Sequence, residues 1–198
     1  APGEARETTH VSVVDGDGNA VSLTTTLNGS FGCGFLVPEL GFLLNNEMDD
    51  FAVAPGGSNL YGLVQGEANA IAPGKRMLSS MAPTLAWRGR ELVVLGSPGG
   101  SRIPTATAQV LLGVIADGLG LPEAVARPRV HHQWLPDEIA FEPAALTGEA
   151  AAELRRRGHT LSETPRVGEV TAARRRADGT LEAAADPRGP GASGTVGP

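Results

Sequence analysis

The stretch ETTHVSVVDGDGNAVSLTTTLNGSFGCG, residues 7–34, decides the fold. HVSVV (10–14) alternates apolar with polar, DGDGN (15–19) is a turn signal, and AVSLTTTLN (20–28) alternates again. Two alternating runs joined by an Asp/Gly/Asn turn predict a β-hairpin. The threonines around it have two readings. Threonine is β-branched and suits a strand, yet a threonine hydroxyl can also be a nucleophile if a base lies beside it. One such base is the residue's own α-amine, whose ordinary pKa of about 7.7–8.0 suits neutral pH. For Thr8 that requires cleavage of the Glu7–Thr8 bond.

Outward from the hairpin, GFLLNNEMDDF (41–51) predicts an apolar strand running into an acidic end. Residues 54–74, rich in Gly, Pro and Asn around Tyr61, predict a long loop of the kind that carries function. SMAPTLAWRGRELVVLGSPGG (80–100) predicts a second hairpin turning at Arg88-Gly89. SRIPTATAQVLLGVIADG (101–118) predicts a helix with Pro104 in its first turn and Gly118 just past its end. LPEAVARPR (121–129) predicts a short helix. PAALTGEAAAELRRRGH (143–159) predicts a third, with Thr147 as N-cap and arginines before Gly158. VTAARRRADGTLEAAADPRG (170–189) predicts a last hairpin around Asp178-Gly179. Strands, then helices, then strands imply a layered α+β fold without β-α-β alternation.

The bulk numbers fit one soluble domain. The 198 residues are 41% hydrophobic and only 4% aromatic, with Gly 27 and Pro 15, so the core must rest on Ala, Val and Leu. A net charge of -6 argues against general nucleic-acid binding, which uses a basic face. The single cysteine, Cys33, excludes an internal disulfide and reads as a small packing residue. The opening APGEARE reads as part of a longer chain.

Several clusters can carry chemistry. GSPGGS (96–101), between a strand and a helix, lets backbone N–H groups converge on an anion; without a P-loop lysine it suits an oxyanion better than a nucleotide. A tight turn reads equally well there. NNEMDD (45–50) offers Glu47 and Asp50 to an ammonium, and KRMLSSM (75–81) offers Ser79 and Ser80 to a carboxylate. DGDGN lacks the spaced acidic ligands of a calcium loop. HHQW (131–134) has neighbouring histidines that face opposite ways in a strand and no third metal ligand. The RRR triplets at 155–157 and 174–176 read as solvated faces.

Six motifs in order, TTHVSVVDGDGNAVSLTTTLN, GFLLNNEMDDF, NLYGLVQGEANAIAPGKRMLSSMAPT, GSPGGSR, RVHHQWLPDE and ADPR, give the chain a specific likeness. From Thr8 to about Arg188 it resembles the small, catalytic subunit of the γ-glutamyltranspeptidase family, in the N-terminal-nucleophile hydrolase superfamily. The resemblance implies a four-layer αββα sandwich. It implies a precursor segment 1–7, a catalytic domain 8–188 and a flexible tail 189–198. Thr8 matches the nucleophile freed by autocatalytic cleavage, Thr26 the threonine hydrogen-bonded to it, and Gly99 and Gly100 the oxyanion-hole donors. Asn28, Glu47 and Asp50 match groups on the α-amino end of a γ-glutamyl substrate. Ser79 and Ser80 match those on its α-carboxylate, and Tyr61 a lid residue.

The implied activity is γ-glutamyl transfer or hydrolysis on glutathione and related compounds, with no cofactor and no metal. The implied partner is a large subunit cut from the same precursor, and the implied location is the periplasm, cell envelope or exterior. Alternatives within the same frame are a cephalosporin or glutaryl acylase and a capsule γ-polyglutamate transferase. A non-catalytic relative that binds γ-glutamyl peptides is another. An acyl group lacking an ammonium would leave Glu47 and Asp50 without a partner, which favours the γ-glutamyl reading.

Overall fold

A computed structural model describes residues 8–54 and 56–196; the Glu7–Thr8 bond and the expected precursor segment 1–7 lie outside the described residues. In chain order the elements begin with β1 (Thr9–Val14), β2 (Ala20–Thr25), β3 (Leu36–Val37) and β4 (Phe42–Leu43). There follow β5 (Thr84–Arg88), β6 (Glu91–Gly96), α1 (Ile103–Ile115), α2 (Leu121–Ala126), β7 (Val130–His131) and β8 (Ile139–Phe141). The chain closes with α3 (Gly148–Arg156), β9 (Leu161–Glu163), β10 (Thr171–Arg175) and β11 (Leu181–Ala184).

The first hairpin forms as the alternation predicts. β1 pairs antiparallel with β2, placing Thr9 opposite Thr25, His10 opposite Thr24 and Ser12 opposite Ser22. The Asp15 carboxylate holds the turn, accepting from the backbone N–H and the side-chain amide of Asn19, each at 2.8 Å. Gly18 sits at φ 94, a conformation that strains any residue with a Cβ.

The second layer is an antiparallel sheet in the order β11-β10-β6-β5. Its central strand β6, ELVVLG, is buried along its whole length. Val93 and Leu95 turn to one face, where α1 and α2 cover them with Val110, Val114, Leu121 and Val125. Fully burying a side chain of this kind stabilises by about 1.5–3 kcal/mol. Leu92 and Val94 turn to the other face, against Val14 and Ala20 of the first hairpin. Gly113 of α1 lies against Ala124 of α2, so the two helices approach closely there. The result is helices, sheet and hairpin stacked as α/β/β. The outer face of the hairpin remains open among the described residues, with Val11, Val13, Val21 and Leu23 each about half exposed (45%, 50%, 53% and 54%). Three layers of the expected αββα sandwich are therefore present.

The helices begin and end where their punctuation predicts. Pro104 lies in the first turn of α1, Gly118 follows its end at φ 70, and the Thr147 hydroxyl caps α3 by accepting from Ala150 N–H at 3.1 Å. Three expectations are corrected: Cys33, read as a packing residue, is exposed; Arg174, in a triplet read as a solvated face, is buried against Glu91; and the third concerns strand order. The sequence order argues against β-α-β alternation, yet β8 and β9 pair in parallel across α3, with β7 antiparallel on the other side of β8. These strands are two or three residues long, too short to show a period.

Candidate active site

Thr8 immediately precedes β1 and Thr26 immediately follows β2, so the hairpin register brings the two ends together. Thr8 Oγ1 lies 2.9 Å from Thr26 Oγ1, and Thr8 is buried (7% exposed). The Thr26 oxygen also accepts the backbone N–H of Asn28 at 2.9 Å. Its lone pairs are thereby oriented, and one hydroxyl proton remains to be shared with Thr8. Asn28 stands at φ 69 and is buried, and its side chain and neighbour reach Asn46: Asn28 Nδ2 donates to Asn46 O at 3.3 Å, and Gly29 N–H to Asn46 Oδ1 at 2.7 Å. This ties Thr26, the hydrogen-bond partner of Thr8, to the start of the acidic turn.

Beneath Thr8 lies a polar layer between the two sheets. His10 Nδ1 lies 2.7 Å from Thr24 Oγ1 and its Nε2 3.0 Å from Ser12 Oγ. Ser12 donates to Thr171 O at 3.1 Å, and Ser22 to Leu95 O at 3.0 Å. Burial pushes the His10 imidazole down to about 4, so the ring is neutral at physiological pH.

The glycine loop comes next. Gly99 at φ 130 and Gly100 at φ 55 turn the chain from β6 into α1, and Gly99 lines the same cavity as Thr8. That cavity, about 540 Å³, is walled on its other side by Arg166, Glu169 and Arg188 to Gly191. Gly189 to Gly191, the start of the expected tail, thus pack against the site; a Cβ on Gly189 would collide with Glu169. Ser97 Oγ accepts Glu169 N–H at 2.8 Å and fastens this wall to the glycine loop.

Glu47 and Asp50 share one short 3-10 turn, Glu47–Asp50. Burial raises the Glu47 carboxyl to about 7, helped by the Asp50 charge and a hydrogen bond between the two. Burial also raises Asp50, with the charge of Asp49 adding and the Glu47 hydrogen bond opposing. Two half-buried carboxyls so close together resist ionising at the same time. Among the described residues no cluster of His, Cys, Asp and Glu is arranged to hold a metal ion.

Tyr61, on the long loop, lies over the site. Its hydroxyl donates to Asn28 O at 2.8 Å, and its ring is so close to Gly100 that a Cβ there would fall 2.5 Å from Cδ1. The loop is pinned by amide side chains: Asp50 O accepts from Gln65 Nε2 at 3.2 Å and from Asn69 Nδ2 at 2.6 Å. The structure thus gathers Thr8, Thr26, Asn28, Gly99, Gly100 and Tyr61, with Glu47 and Asp50 joined through Asn46. Ser79 is exposed and accepts Met81 N–H at 3.2 Å, Ser80 is half-buried, and neither is hydrogen-bonded to the threonine pair among the described residues. Sequence reasoning missed His10, whose signal was its inward register opposite Thr24, and Gln133, whose amide donates to Tyr61 O.

A buried threonine pair at the mouth of a hairpin, on a sheet backed by helices and beside a diglycine turn, defines an N-terminal-nucleophile hydrolase fold and site. The gamma-glutamyltranspeptidase family model matches residues 1–196, and the chain belongs to that family. It is 48% identical over 189 residues to the glutathione hydrolase proenzyme of Escherichia coli K12, covering 95% of this chain and 32% of the relative. It is 51% identical over 200 residues to the corresponding proenzyme of Pseudomonas aeruginosa, covering 98% and 36%. The structure of gamma-glutamyltranspeptidase from Pseudomonas nitroreducens complexed with L-DON superposes with a TM-score of 0.87 at 51% identity, covering 96% of this chain and all of that one. The chain spans about a third of the length of the curated relatives it matches.

Proposed function

We propose that the protein carrying this chain is a γ-glutamyl acyl transferase and hydrolase that acts on glutathione and related γ-glutamyl amides. It becomes active once the Glu7–Thr8 bond is cut and Thr8 gains a free α-amine. The observation that carries this reading is the buried Thr8–Thr26 hydroxyl pair, 2.9 Å apart, opening on the cavity that Gly99 lines.

Thr8 Oγ attacks the carbonyl carbon of the γ-amide while its proton passes to the α-amine. The oxyanion forms against the backbone N–H groups of Gly99 and Gly100, donors of a kind worth about 3–4 kcal/mol each. The C–N bond breaks, the leaving amine takes the proton from the α-ammonium, and a γ-glutamyl ester of Thr8 remains. Water, or the amine of an amino acid or dipeptide, then attacks the ester carbon, and Thr8 Oγ leaves with a proton. Glu47 and Asp50 receive the substrate's α-ammonium beside Asn28, Ser79 and Ser80 receive its α-carboxylate, and Tyr61 covers the bound glutamyl group.

The partner in this reading is the large subunit, the remainder of the same precursor. Two observations support it: the chain's one-third share of its relatives' length, and the apolar outer face of β1 and β2. That face needs a cover of the kind a fourth, helical layer provides. On the family resemblance alone, the location we propose is the periplasm, the cell envelope or the exterior.

The test is release of a chromogenic amine from a γ-glutamyl anilide by the full-length protein, with and without a dipeptide acceptor, alongside intact mass. Active protein should contain a chain beginning at Thr8, and Thr8→Ala should show neither cleavage nor turnover. Normal cleavage in that variant would remove Thr8 from the nucleophile's role.

A further inference from the structure

The tip of the long loop is a small, self-organised turn. Asn59 Oδ1 accepts from both Tyr61 N–H and Leu63 N–H at 3.0 Å, and Gly62 N–H donates to Asn59 O at 2.9 Å. A bridge between Ser58 and Val64 closes its base. Such a unit moves as a body, so its position depends on its ties to the rest of the chain. One runs from Leu60 N–H to Asp49 Oδ2 at 2.9 Å, and another from the Tyr61 hydroxyl to Asn28 O. The first ends on the acidic turn that carries Glu47 and Asp50, the second on Asn28 of the site itself.

A further tie comes from the HHQW motif. Gln133 Nε2 donates to Tyr61 O at 3.2 Å and to Leu135 O at 3.0 Å. Two carbonyls on the amide nitrogen fix the amide's orientation, so Oε1 faces the other way, 2.9 Å from Nε2 of His131. Oε1 can only accept; His131 Nε2 is therefore protonated. Nδ1 of the same ring, buried (6% exposed), lies 2.8 Å from Thr105 Oγ1 in the first turn of α1. Thr105 Oγ1 also lies 3.0 Å from Arg102 O. His132, the neighbouring histidine, points outward to Asp137.

We propose that Thr105, His131 and Gln133 form a latch that holds the lid turn down on the oxyanion loop. The latch joins Tyr61, whose ring covers Gly100, to the first turn of the helix that Gly99 and Gly100 initiate. Its two ends therefore report on the same loop from opposite sides. Gln133 and His131 are positioning residues: they act through Tyr61 and touch no reacting group. This inference rests on the γ-glutamyl reading for its kinetic consequence but not for its structural one.

The test uses the processed full-length protein and Gln133→Glu. Glutamate keeps the size of the side chain and an acceptor for His131 Nε2–H but cannot donate to Tyr61 O. Backbone amide exchange at residues 59–64 should accelerate about fivefold to tenfold, the scale of one or two lost hydrogen bonds. Exchange in β6 should not change, which separates a released lid from a damaged fold. KM for a γ-glutamyl anilide should rise by a similar factor with kcat within twofold, and in a Tyr61→Ala background the substitution should raise KM no further. Gln133→Ala serves the same comparison if Gln133→Glu does not fold. Unchanged exchange at 59–64 would overturn the latch whatever the activity, and a KM rise that persists without Tyr61 would overturn its route. A protein with no γ-glutamyl activity but faster lid exchange would keep the latch and sink the functional reading instead.

Discussion

The imidazole of His10 lies directly on Gly96: a Cβ at residue 96 would fall 2.5 Å from Nδ1 and 2.6 Å from Nε2. The last residue of β6 is thus bare so that a ring two positions after Thr8 can lie between the sheets. Gly96→Ala should push the ring out of its bonds to Thr24 and Ser12 and cost about 1–3 kcal/mol, as overpacked interiors do. Denaturant unfolding of the full-length protein checks this. An unchanged midpoint would show that the ring shifts freely and that the polar layer is not fixed.

Thr26 accepts Asn28 N–H and faces Thr8 with the same oxygen. Thr26→Val should lower kcat about a hundredfold, a reasonable scale for losing the alignment of a reacting group. Thr26→Ser keeps the hydroxyl and should retain most of it. Equal losses in both variants would mean that the methyl group, not the hydroxyl, matters at this position.

Glu47 carries the pH dependence. Burial raises its carboxyl to about 7, so on the proposed γ-glutamyl reading it is protonated below that pH and no longer attracts a substrate ammonium. KM for γ-glutamyl substrates should rise as pH falls through about 7, by up to about tenfold per unit. In Asp50→Asn the raising charge is gone, and the acid limb should move to lower pH. The stability sign is the reverse of an ordinary ion pair: the folded chain binds this proton more tightly than the unfolded one. Stability therefore falls as pH rises from 4.5 to about 7, and Asp50→Asn should flatten that slope. KM against pH for the two proteins decides the matter; coincident profiles would detach Asp50 from Glu47.

Arg129 and Asp186 form an ion pair at 2.7 Å with side chains 1% and 0% exposed. Asp186 also accepts Val170 N–H at 2.8 Å, while Arg188 bridges Asp186 at 2.9 Å and Glu142 at 2.5 Å. The network thereby fastens the segments around Val170 and Arg188, which adjoin the wall of the Thr8 cavity. Arg129→Met should destabilise by about 3–5 kcal/mol, because it removes one of the two guanidinium partners of buried Asp186 and the donor to Val125 O and Val167 O. The midpoint of denaturant unfolding measures it, and a loss below about 1 kcal/mol would place the pair's weight on Arg188 instead.

Much of the fold was legible in local chemistry. Asp15-Gly-Asp-Gly-Asn19 announced the first turn, Pro104 and Gly118 the limits of α1, and Thr147 the cap of α3. What stayed hidden was long-range. β8 and β9 find each other across a helix with three residues apiece, and no period can show in so few. Alternation also says that a strand has two faces but not which one is inside. In β1 the usual rule would turn Val11 and Val13 inward, whereas His10 and Ser12 are the residues that lie between the sheets. Paired hydrogen bonds to Thr24, Thr171 O and Leu95 O satisfy that polar layer, and only the register reveals them. At the site, threonine's suitability for strands masked the Thr8–Thr26 pair, which motif resemblance exposed and composition could not.

The Asp15–Asn19 turn acquires a second meaning from this register. Side chains alternate with a period of two, so adding or removing one residue in the turn would slide β2 by a step and reverse its faces. Thr24 would leave His10, Leu23 would enter the polar layer, and Thr26 would point away from Thr8. A loop at the end of the hairpin opposite Thr8 and Thr26 therefore acts as the gauge that sets the spacing of the two hydroxyls. Its length, more than its composition, is what the chemistry depends on.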